Sequence, residues 1–527
     1  MERQFQVGQK LLLAFHGRQQ LSPEIISAIR QYRPAGMTLF RSLNVGTPAQ
    51  LKQLTGELQR LAQELEISPF IIAADQEGGQ LMAVGAATPL PGNMALGATR
   101  SPRLARSAGE VLGRELAALG INVDYAPCVD VNTNPRNPVV GTRSFGEEPL
   151  LVSELAAALV AGLQSQGVAA TAKHFPGHGD VTLDSHHGLA GVPHSPERLR
   201  SVELPPFRAA ISAGVKLVMT AHLGILSIDG PQAPPATLSP NVVNGLLRRE
   251  LGFDGVVVSD AMDMRAIRQG EPLREEVVRA AAAGVDLLLM TSDPQDQRRA
   301  FEALQQAARA GRLSAEELGG SLARIARLKA WLAAAPPAPG LSVIRCAGHM
   351  QVADEIAERS VTLVKDASGR LPLRLAPGQR IAVVVPTPRN LTPADTSSYE
   401  IPQLAGALRR CHPQVDEFRV PFQPSGEERQ ALLEKVQGYD LVVAGTINAY
   451  AQPEQAELVR GLLQAGPPVV VIALRLPYDL AAFPEAPVYL CTYSLLEPSM
   501  RAAARVLFGL IEPTGRLPVS LPGFPSA

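Results

Sequence analysis

Short apolar runs alternate with longer amphipathic stretches through roughly the first 335 residues of the chain. The runs are rich in β-branched residues, and the stretches between them repeat apolar positions at three- and four-residue steps. Eight strands are predicted, at 10–15, 36–40, 70–74, 122–127, 169–174, 217–221, 255–259 and 286–290. The stretches between them predict helices, among them 48–64, 101–119, 149–166 and 271–283. Strands that alternate with helices are typical of βα units and a parallel sheet.

Eight such units predict a (β/α)8 barrel, with helices at 295–310 and 314–334 to complete it. The sequence APPAPG follows at 335–340 and cannot continue a helix. We therefore expect a barrel domain at 1–335, a linker at 336–340 and a second, smaller domain at 341–527. Apolar runs at 381–385, 441–444, 469–473 and 488–493 predict that the second domain is α/β with an open, mainly parallel sheet.

Composition narrows the classes of partner. The 527 residues are 46% hydrophobic, which is enough for more than one core. Because 49 Lys and Arg residues balance 50 Asp and Glu residues, a small or neutral partner is favoured over nucleic acid or a membrane surface. The apolar run at 11–15 is too short for a secretory signal or a membrane span, so we expect a cytoplasmic enzyme. Widely spaced cysteines and the lack of a nucleotide-binding motif predict no disulfide framework, metal or cofactor.

Polar residues are concentrated where the predicted strands end. Catalytic groups of a (β/α)8 barrel collect at this edge, so we expect these side chains to share one rim. The residues are Asp75, Glu77, Asp130, Asn132, Lys173, His174, His222 and Asp260. Any one of them could instead cap a helix or be satisfied in the core. Because five strands contribute polar groups, the sequence predicts a pocket for a ligand with many hydroxyl groups.

The segment KHFPGHGD at 173–180, followed by DSHH at 184–187, predicts a loop of defined shape. Its glycines permit unusual backbone angles and its proline fixes one. Long loops rich in His and Asp usually carry function. A metal site is the alternative, with ligands His174, His178, His186 and His187. It is disfavoured because the spacing forms no helical HxxxH pair and no closed ligand set.

Two segments resemble the signatures of family 3 glycoside hydrolases of the β-N-acetylglucosaminidase branch. They are KHFPGHGDVTLDSH at 173–186 and GFDGVVVSDAMDM at 252–264. The resemblance extends through VGQKLLLAF, AADQEGGQ, YAPCVDVN, NPVVGTRSFG and GRLPVSLP, and so covers nearly the whole chain. It implies a retaining β-N-acetylhexosaminidase that acts on terminal N-acetylglucosamine, with cell-wall muropeptides as the expected substrates.

The resemblance also implies the roles of individual residues. By this resemblance, Asp260 is expected to be the nucleophile that forms a glycosyl-enzyme intermediate, and His186 the acid/base with Asp184 as its partner. Retaining hydrolysis requires a carboxylate on one face of the ring and a proton donor on the other. The ordinary pKa of histidine is about 6.5, and a nearby carboxylate favours its charged form. An extended backbone would put Asp184 beside His186, whereas the alternative is that Asp184 caps a turn.

By the same resemblance, the expected sugar-binding residues are Asp75, Arg143, Lys173 and His174, with Asp130 and His222 on the same rim. Charge-assisted hydrogen bonds from such groups suit hydroxyl recognition, although Arg143 could instead form a surface ion pair. The chain also departs from the family pattern. Gln80 and Ala83 lie where arginines are common, and Ala261 follows the nucleophile in place of an acidic residue. These changes predict altered substrate affinity with the catalytic set intact.

Three alternatives remain open. A β-glucosidase of the same family takes its acid/base from the second domain, but the histidine-rich loop argues against it. A phosphorylase would use phosphate in place of water, since a histidine acid/base does not repel an anion. A non-catalytic sugar-binding protein could keep the fold, because fold does not determine function.

Overall fold

Twelve strands lie in the described part of the barrel domain. The computed structural model describes residues 7–182, 184, 188–268 and 273–524. The strands are β1 (Leu11–Leu13), β2 (Gly36–Leu39), β3 (Ile71–Ala74), β4 (Gln76–Gly78), β5 (Leu81–Met82), β6 (Val123–Asp124), β7 (Ala169–Phe175), β8 (Ala190–Val192), β9 (Leu217–Thr220), β10 (Leu223–Ile225), β11 (Val256–Ser259) and β12 (Leu288–Met290). All eight predicted strands are present, with ends that differ from the prediction by a few residues.

Eight of these strands form one parallel sheet in the order β11, β9, β7, β6, β3, β2, β1, β12. The amide of Ser259 donates to the carbonyl of Leu287 at 2.9 Å, which joins the two ends of the sheet into a barrel. Alternate residues such as Leu12 and Ile71 pack inside the barrel, and their neighbours pack against the surrounding helices. Strands covered on both sides are apolar throughout. The predicted (β/α)8 barrel is confirmed.

Helices surround the barrel, and several begin with Pro directly after a polar capping residue. The longer helices are Pro23–Tyr32, Pro48–Glu64, Asn93–Thr99, Pro102–Ala118, Pro149–Ser165, Leu204–Ser212, Asn241–Glu250, Glu275–Ala283, Pro294–Arg309 and Ala315–Ala333. Thr47 illustrates the start, since its hydroxyl accepts from the amide of Gln50 at 3.2 Å. Pro has no backbone N–H, and at the first position of a helix this N–H would have no partner within the helix, so no hydrogen bond is lost. Five of the six predicted helix starts lie within one residue of the observed ones, whereas the helix predicted at 271–283 begins at Glu275.

The second domain is built on a six-stranded sheet, in the order β13, β18, β17, β16, β14, β15. Its strands are β13 (Thr362–Asp366), β14 (Ile381–Pro386), β15 (Val415–Val420), β16 (Leu441–Thr446), β17 (Val469–Ala473) and β18 (Val488–Cys491). Its helices are Ala347–Ser360, Leu404–Arg409, Gly426–Val436, Pro453–Gln464 and Glu497–Leu507. Only β13 pairs antiparallel. The predicted α/β domain with a mainly parallel sheet is confirmed.

Sequence patterns missed two strands, β13 and β15, which form the two edges of the second sheet. Both carry charged residues, as in VDEFRV at 415–420, and are only partly buried. An edge strand has a neighbouring strand on one side only, and its other edge faces water, so it tolerates charged residues. These charged residues interrupt the apolar run by which a strand is recognised in the sequence. The chain from 336 to 340 contains no helix or strand, and the domain boundary placed there stays a prediction. Within the described ranges, no helix has the length and apolar character needed to cross a membrane.

Candidate active site

A cavity of about 580 Å³ opens at the carboxyl ends of the barrel strands. Its barrel residues include five of the predicted site residues, Asp75, Arg143, Lys173, His174 and Asp260. Lys173 and His174 lie at the end of β7, whereas Asp75, Arg143 and Asp260 lie in the segments that follow β3, β6 and β11. The closed barrel brings these positions to one rim. A cavity of this size can enclose a ligand larger than a single sugar ring.

Glu77 lies at the centre of a buried ion cluster beside the cavity. Its carboxylate accepts from Nη2 of Arg143 at 2.8 Å and from Nε at 3.0 Å, and it lies 2.7 Å from Nζ of Lys173. Nζ of Lys173 also donates to Oδ1 of Asp75 at 2.6 Å. Burial alone would raise the pKa of Glu77, but Arg143 and Lys173 lower it to about 2. Burial opposes the charge on Lys173, yet Asp75 and Glu77 hold its pKa above the usual range.

His174 is oriented by a buried carboxylate. Nδ1 of His174 lies 2.7 Å from Oδ2 of Asp130, and the amides of His174 and His178 donate to Oδ1 at 3.1 and 2.7 Å. Burial would raise the pKa of Asp130, but His174 and the hydrogen bonds hold it well below its usual range. Because Nη2 of Arg143 donates to Nε2 at 3.3 Å, Nδ1 is the nitrogen that donates to Asp130. The ring is therefore fixed at both nitrogens.

Asp260 follows β11 directly and lines the cavity. Its amide donates to the carbonyl of Thr220 at 3.2 Å, and its Oδ1 accepts from the amide of Ala261 at 2.7 Å. Nearby, Nε2 of His222 donates to the carbonyl of Ala261 at 3.0 Å, and Nδ1 lies 2.8 Å from Oγ1 of Thr237. These contacts fix the backbone on both sides of the carboxylate.

Two predicted sugar-binding residues, Asp130 and His222, are not among the described residues that line the cavity. Both are buried, and the contacts above show what they hold: Asp130 orients His174, and His222 supports the backbone of Ala261. Their direct contact with substrate stays a prediction.

The histidine-rich loop is described up to residue 182, at 184 and again from 188. Asp184 is buried, whereas His186 and His187 lie outside the described residues. A Cβ on Gly179 would lie 1.7 Å from the carbonyl oxygen of Val131, so only glycine allows this close approach. The predicted shape of the loop is thus enforced by backbone contact with the segment that follows β6. The Asp184–His186 pair stays a prediction.

Of the four histidines considered as metal ligands, His174 and His178 are described. A different set, Cys128, Asp130 and His174, places ligand-type atoms within 4.8 Å of one another. Their contacts are hydrogen bonds, because the thiol of Cys128 and Nδ1 of His174 both donate to Asp130, at 3.1 and 2.7 Å. Burial raises the pKa of the Cys128 thiol well above its usual range, which disfavours the thiolate that a metal requires.

Several functional residues were not identified from the sequence. Glu77 was noted at a strand end but given no separate role, although its position two residues after Asp75 was a usable signal. His178 lines the cavity, and burial lowers its pKa to about 4, so its ring is neutral at pH 7. The second domain also contributes lining residues, namely Asn390, Pro393, Ala394, Asp395, Thr396 and Tyr399. No sequence pattern links these residues to the barrel.

Comparisons with known proteins agree with this architecture. Residues 6–328 match the glycosyl hydrolase family 3 N-terminal domain, and residues 361–524 match the C-terminal domain of the same family. The chain is 32% identical to β-hexosaminidase A of Pseudoalteromonas piscicida, over 95% of this chain and 91% of that one. A solved β-N-acetylglucosaminidase from Paenibacillus sp. is 38% identical, covers 99% of each chain and superposes with a TM-score of 0.94. A β-glucosidase from Listeria innocua is 25% identical, with 99% of this chain and 75% of that chain covered and a TM-score of 0.80.

Proposed function

Since the chain belongs to glycosyl hydrolase family 3, we propose that it is a retaining exo-β-N-acetylglucosaminidase that removes terminal β-linked N-acetylhexosamine. The names of the similar proteins support this substrate. The solved β-N-acetylglucosaminidase shares 38% identity with this chain, against 25% for the β-glucosidase. The histidine-rich loop, which resembles the hexosaminidase branch in sequence, supports the same choice.

Two displacements at the anomeric carbon make up the proposed reaction. A carboxylate oxygen of Asp260 attacks the anomeric carbon while the bond to the leaving oxygen breaks, and His186 gives that oxygen its proton. Water then attacks the same carbon as His186 takes the proton, and the bond to Asp260 breaks. Two inversions give net retention of configuration. Asp184 orients the imidazole and favours its protonated form.

One observation carries the proposal: Asp260 and the charged strand-end residues line the same cavity. The described lining carries four carboxylates and four cations: Asp75, Asp260, Asp263 and Asp395, and Arg41, Arg143, Lys173 and Arg265. The negative charge of Asp260 favours the positive charge that develops on the sugar ring in the transition state. Lys173 and Asp75, both at the cavity, offer charged donors and acceptors to sugar hydroxyls.

The proposal is tested with 4-nitrophenyl β-N-acetylglucosaminide and the matching β-glucoside, each with and without phosphate. We expect hydrolysis of the N-acetyl substrate only, with the β-anomer of the sugar as first product by proton NMR. The matching α-glycoside is the control. Preference for the glucoside would favour a β-glucosidase, and a sugar phosphate product would favour a phosphorylase. Binding of N-acetylglucosamine without turnover would favour a sugar-binding protein.

Replacement of His186 should lower the rate of cleavage most for substrates whose leaving group departs poorly without a proton. We expect His186→Ala to reduce cleavage of a methyl glycoside on the order of 10²- to 10⁴-fold, the usual contribution of general acid catalysis. A 2,4-dinitrophenyl glycoside needs little proton donation, so glycosylation of the enzyme should be nearly as fast as in wild type in pre-steady-state kinetics. Asp184→Asn should give a smaller loss with the same dependence on leaving group.

The matched control is Asp180→Asn on the same loop. Asp180 is not among the described residues that line the cavity, and its carboxylate lies 3.3 Å from Nε2 of His194. Its replacement should lower the rates of cleavage of both substrates equally, and far less than His186→Ala lowers the rate for the methyl glycoside. If His186→Ala lowered the rates on the two substrates equally, the acid/base would have to be another residue.

The finer parts of the proposal are that the substrate is a muropeptide and that the enzyme works in the cytoplasm. The first rests on the resemblance of the sequence segments, and the second stays an expectation. A purified disaccharide-peptide from cell wall, assayed for release of N-acetylglucosamine, tests the first. Cell fractionation tests the second.

A further inference from the structure

Six residues of the cavity wall belong to one segment of the second domain, residues 390–399, which lies between β14 and helix Leu404–Arg409. This 390–399 segment meets the barrel at the turn between β4 and β5, where Gln80 lies. Gln80 is one of the positions at which the sequence departs from the family pattern. The contacts at this meeting point form a joint between the two domains.

Gln80 makes hydrogen bonds to both domains. Its Oε1 accepts from Oγ1 of Thr142 in the barrel and from Nη2 of Arg475 in the second domain, both at 2.7 Å. Its carbonyl oxygen accepts from the amide of Thr396 at 2.8 Å and from the hydroxyl of Thr396 at 2.9 Å. Its Nε2 donates to the carbonyl of Ala394 at 3.3 Å. The Nε2 and the backbone carbonyl of Gln80 therefore hold the segment against the barrel, and its Oε1 links Thr142 to Arg475.

Arg475 connects this joint to a buried carboxylate within the segment. Nη1 of Arg475 donates to Oδ2 of Asp395 at 2.7 Å, and both side chains are buried. Asp395 also accepts from the amides of Leu391 and Ser397, at 2.9 and 2.8 Å, so it shapes the segment from within. A buried guanidinium that bonds to two partners restricts both of them.

A second attachment lies at the far end of the segment. Nη2 of Arg41 donates to Oε1 of Glu400 at 3.1 Å, and its guanidinium carbon lies 4.3 Å from the ring centre of Tyr399. Arg41 follows β2, so the segment spans the loops after two neighbouring barrel strands. Attachments at 394–396 and at 399–400 fix the position of the wall between them.

We propose that the 390–399 segment forms the part of the pocket that receives the leaving group, and that Arg475, through Gln80 and Asp395, is its positioning residue. The inference rests on the proposed function. The sugar to be released binds among the charged groups at the ends of the barrel strands, a part of the pocket that we call the deep subsite. The second domain forms another part of the cavity wall, and the volume of about 580 Å³ leaves space beyond one ring. Selectivity for the aglycone is therefore a property of the joint between the domains.

Thr396 provides a matched pair of variants. Thr396→Val keeps the shape but removes the hydroxyl that donates to Gln80 and accepts from the amide of Met82 at 3.1 Å. We expect KM for N,N′-diacetylchitobiose to rise on the order of tenfold, as for one or two lost hydrogen bonds, with kcat nearly unchanged. Thr396→Ser keeps both bonds and should recover most of the wild-type KM. The inhibition constant of free N-acetylglucosamine, which reports only the deep subsite, should not move.

Arg475→Met should raise the same KM further and should also speed amide hydrogen exchange in the 390–399 segment, a readout that does not require activity. Arg380→Met is the control, since Arg380 forms an exposed ion pair with Asp416 at 2.8 Å in the same domain.

Unchanged hydrogen exchange and an unchanged KM in Arg475→Met would overturn the inference. A rise in the inhibition constant of N-acetylglucosamine equal to the rise in KM would also overturn it, since the segment would then serve the deep subsite. Inactive wild-type protein would overturn the proposed function, and hydrogen exchange would still decide whether Arg475 holds the segment.

Discussion

Replacing Asp260 with alanine is expected to lower kcat for an aryl β-N-acetylglucosaminide on the order of 10⁴-fold, about 5 kcal/mol of activation free energy. The carboxylate is the group that forms the covalent bond, so its loss removes the low-energy route to the intermediate. The side chain is partly exposed on the cavity, and its Oδ1 accepts from the amide of Ala261. The fold should therefore survive the change, and thermal unfolding should stay close to that of wild type.

A covalent trap identifies the attacking oxygen directly. A 5-fluoro-N-acetylglucosaminyl fluoride should add one sugar to wild-type protein, and peptide mass spectrometry should place it on Asp260. In Asp260→Ala, added azide should restore activity and give the α-glycosyl azide, because the small anion attacks from the vacated side. Asp263→Asn is the matched control, since Asp263 also lines the cavity and its Oδ2 accepts from Thr291 at 2.8 Å. A label on Asp263, or full activity in Asp260→Ala, would refute the assignment.

Much of the barrel and its rim could be predicted because both follow local rules. Buried parallel strands are continuous apolar runs, and capped helices begin at Ser, Thr or Asp followed by Pro. Once eight βα units are recognised, the residues after each strand fall on one rim, which is why Asp75, Lys173 and Asp260 line one cavity. The position of these residues could be predicted without knowing which side chains pair with one another.

Pairing and domain contact could not be predicted in the same way. Glu77 and Gln80 lie in the same short stretch, yet one holds two buried cations and the other joins the domains. Arg475 lies 395 positions from Gln80, and no periodicity links residues so far apart. Long-range polar contacts depend on how the two domains dock, and this is decided by the packing of both surfaces. Asp130 and His222 show a related limit, since position on the rim did not distinguish lining residues from buried supporting ones.

The ion cluster is also the point at which stability and function depend on the same residue. Glu77 is 3% exposed and holds Arg143 and Lys173 together, while Asp75, the other partner of Lys173, keeps a partly exposed side chain. Without Glu77, Arg143 would lose this carboxylate partner and Lys173 would keep the partly exposed Asp75. The orientation of the sugar-binding residues thus depends on a residue that need not touch the sugar.

Glu77→Gln is expected to destabilise the protein by about 3–5 kcal/mol, because it leaves buried cations without their counter-charge. For a chain of this size the fall in Tm should be about 3–5 °C, measured by calorimetry at pH 7. KM should rise as well, since Lys173 loses one of its two carboxylate partners. Glu250→Gln is the control. Glu250 binds Arg200 through two hydrogen bonds of 2.8 and 3.1 Å at the surface, so its loss should cost less than about 1 kcal/mol.

Acid should reduce the difference between wild type and Glu77→Gln. The folded-state pKa of Glu77 is about 2, below the ordinary value of 4.5, so the unfolded chain takes up its proton first. A depressed carboxyl pKa contributes stability that is fully present above about pH 4.5 and is lost as the pH falls towards about 2. The gap between the two urea unfolding curves should therefore be constant from pH 7 to 5 and narrow by pH 3. A gap that stays constant down to pH 3 would mean that the charge of Glu77 does not stabilise the cluster, and its role would then be one of shape.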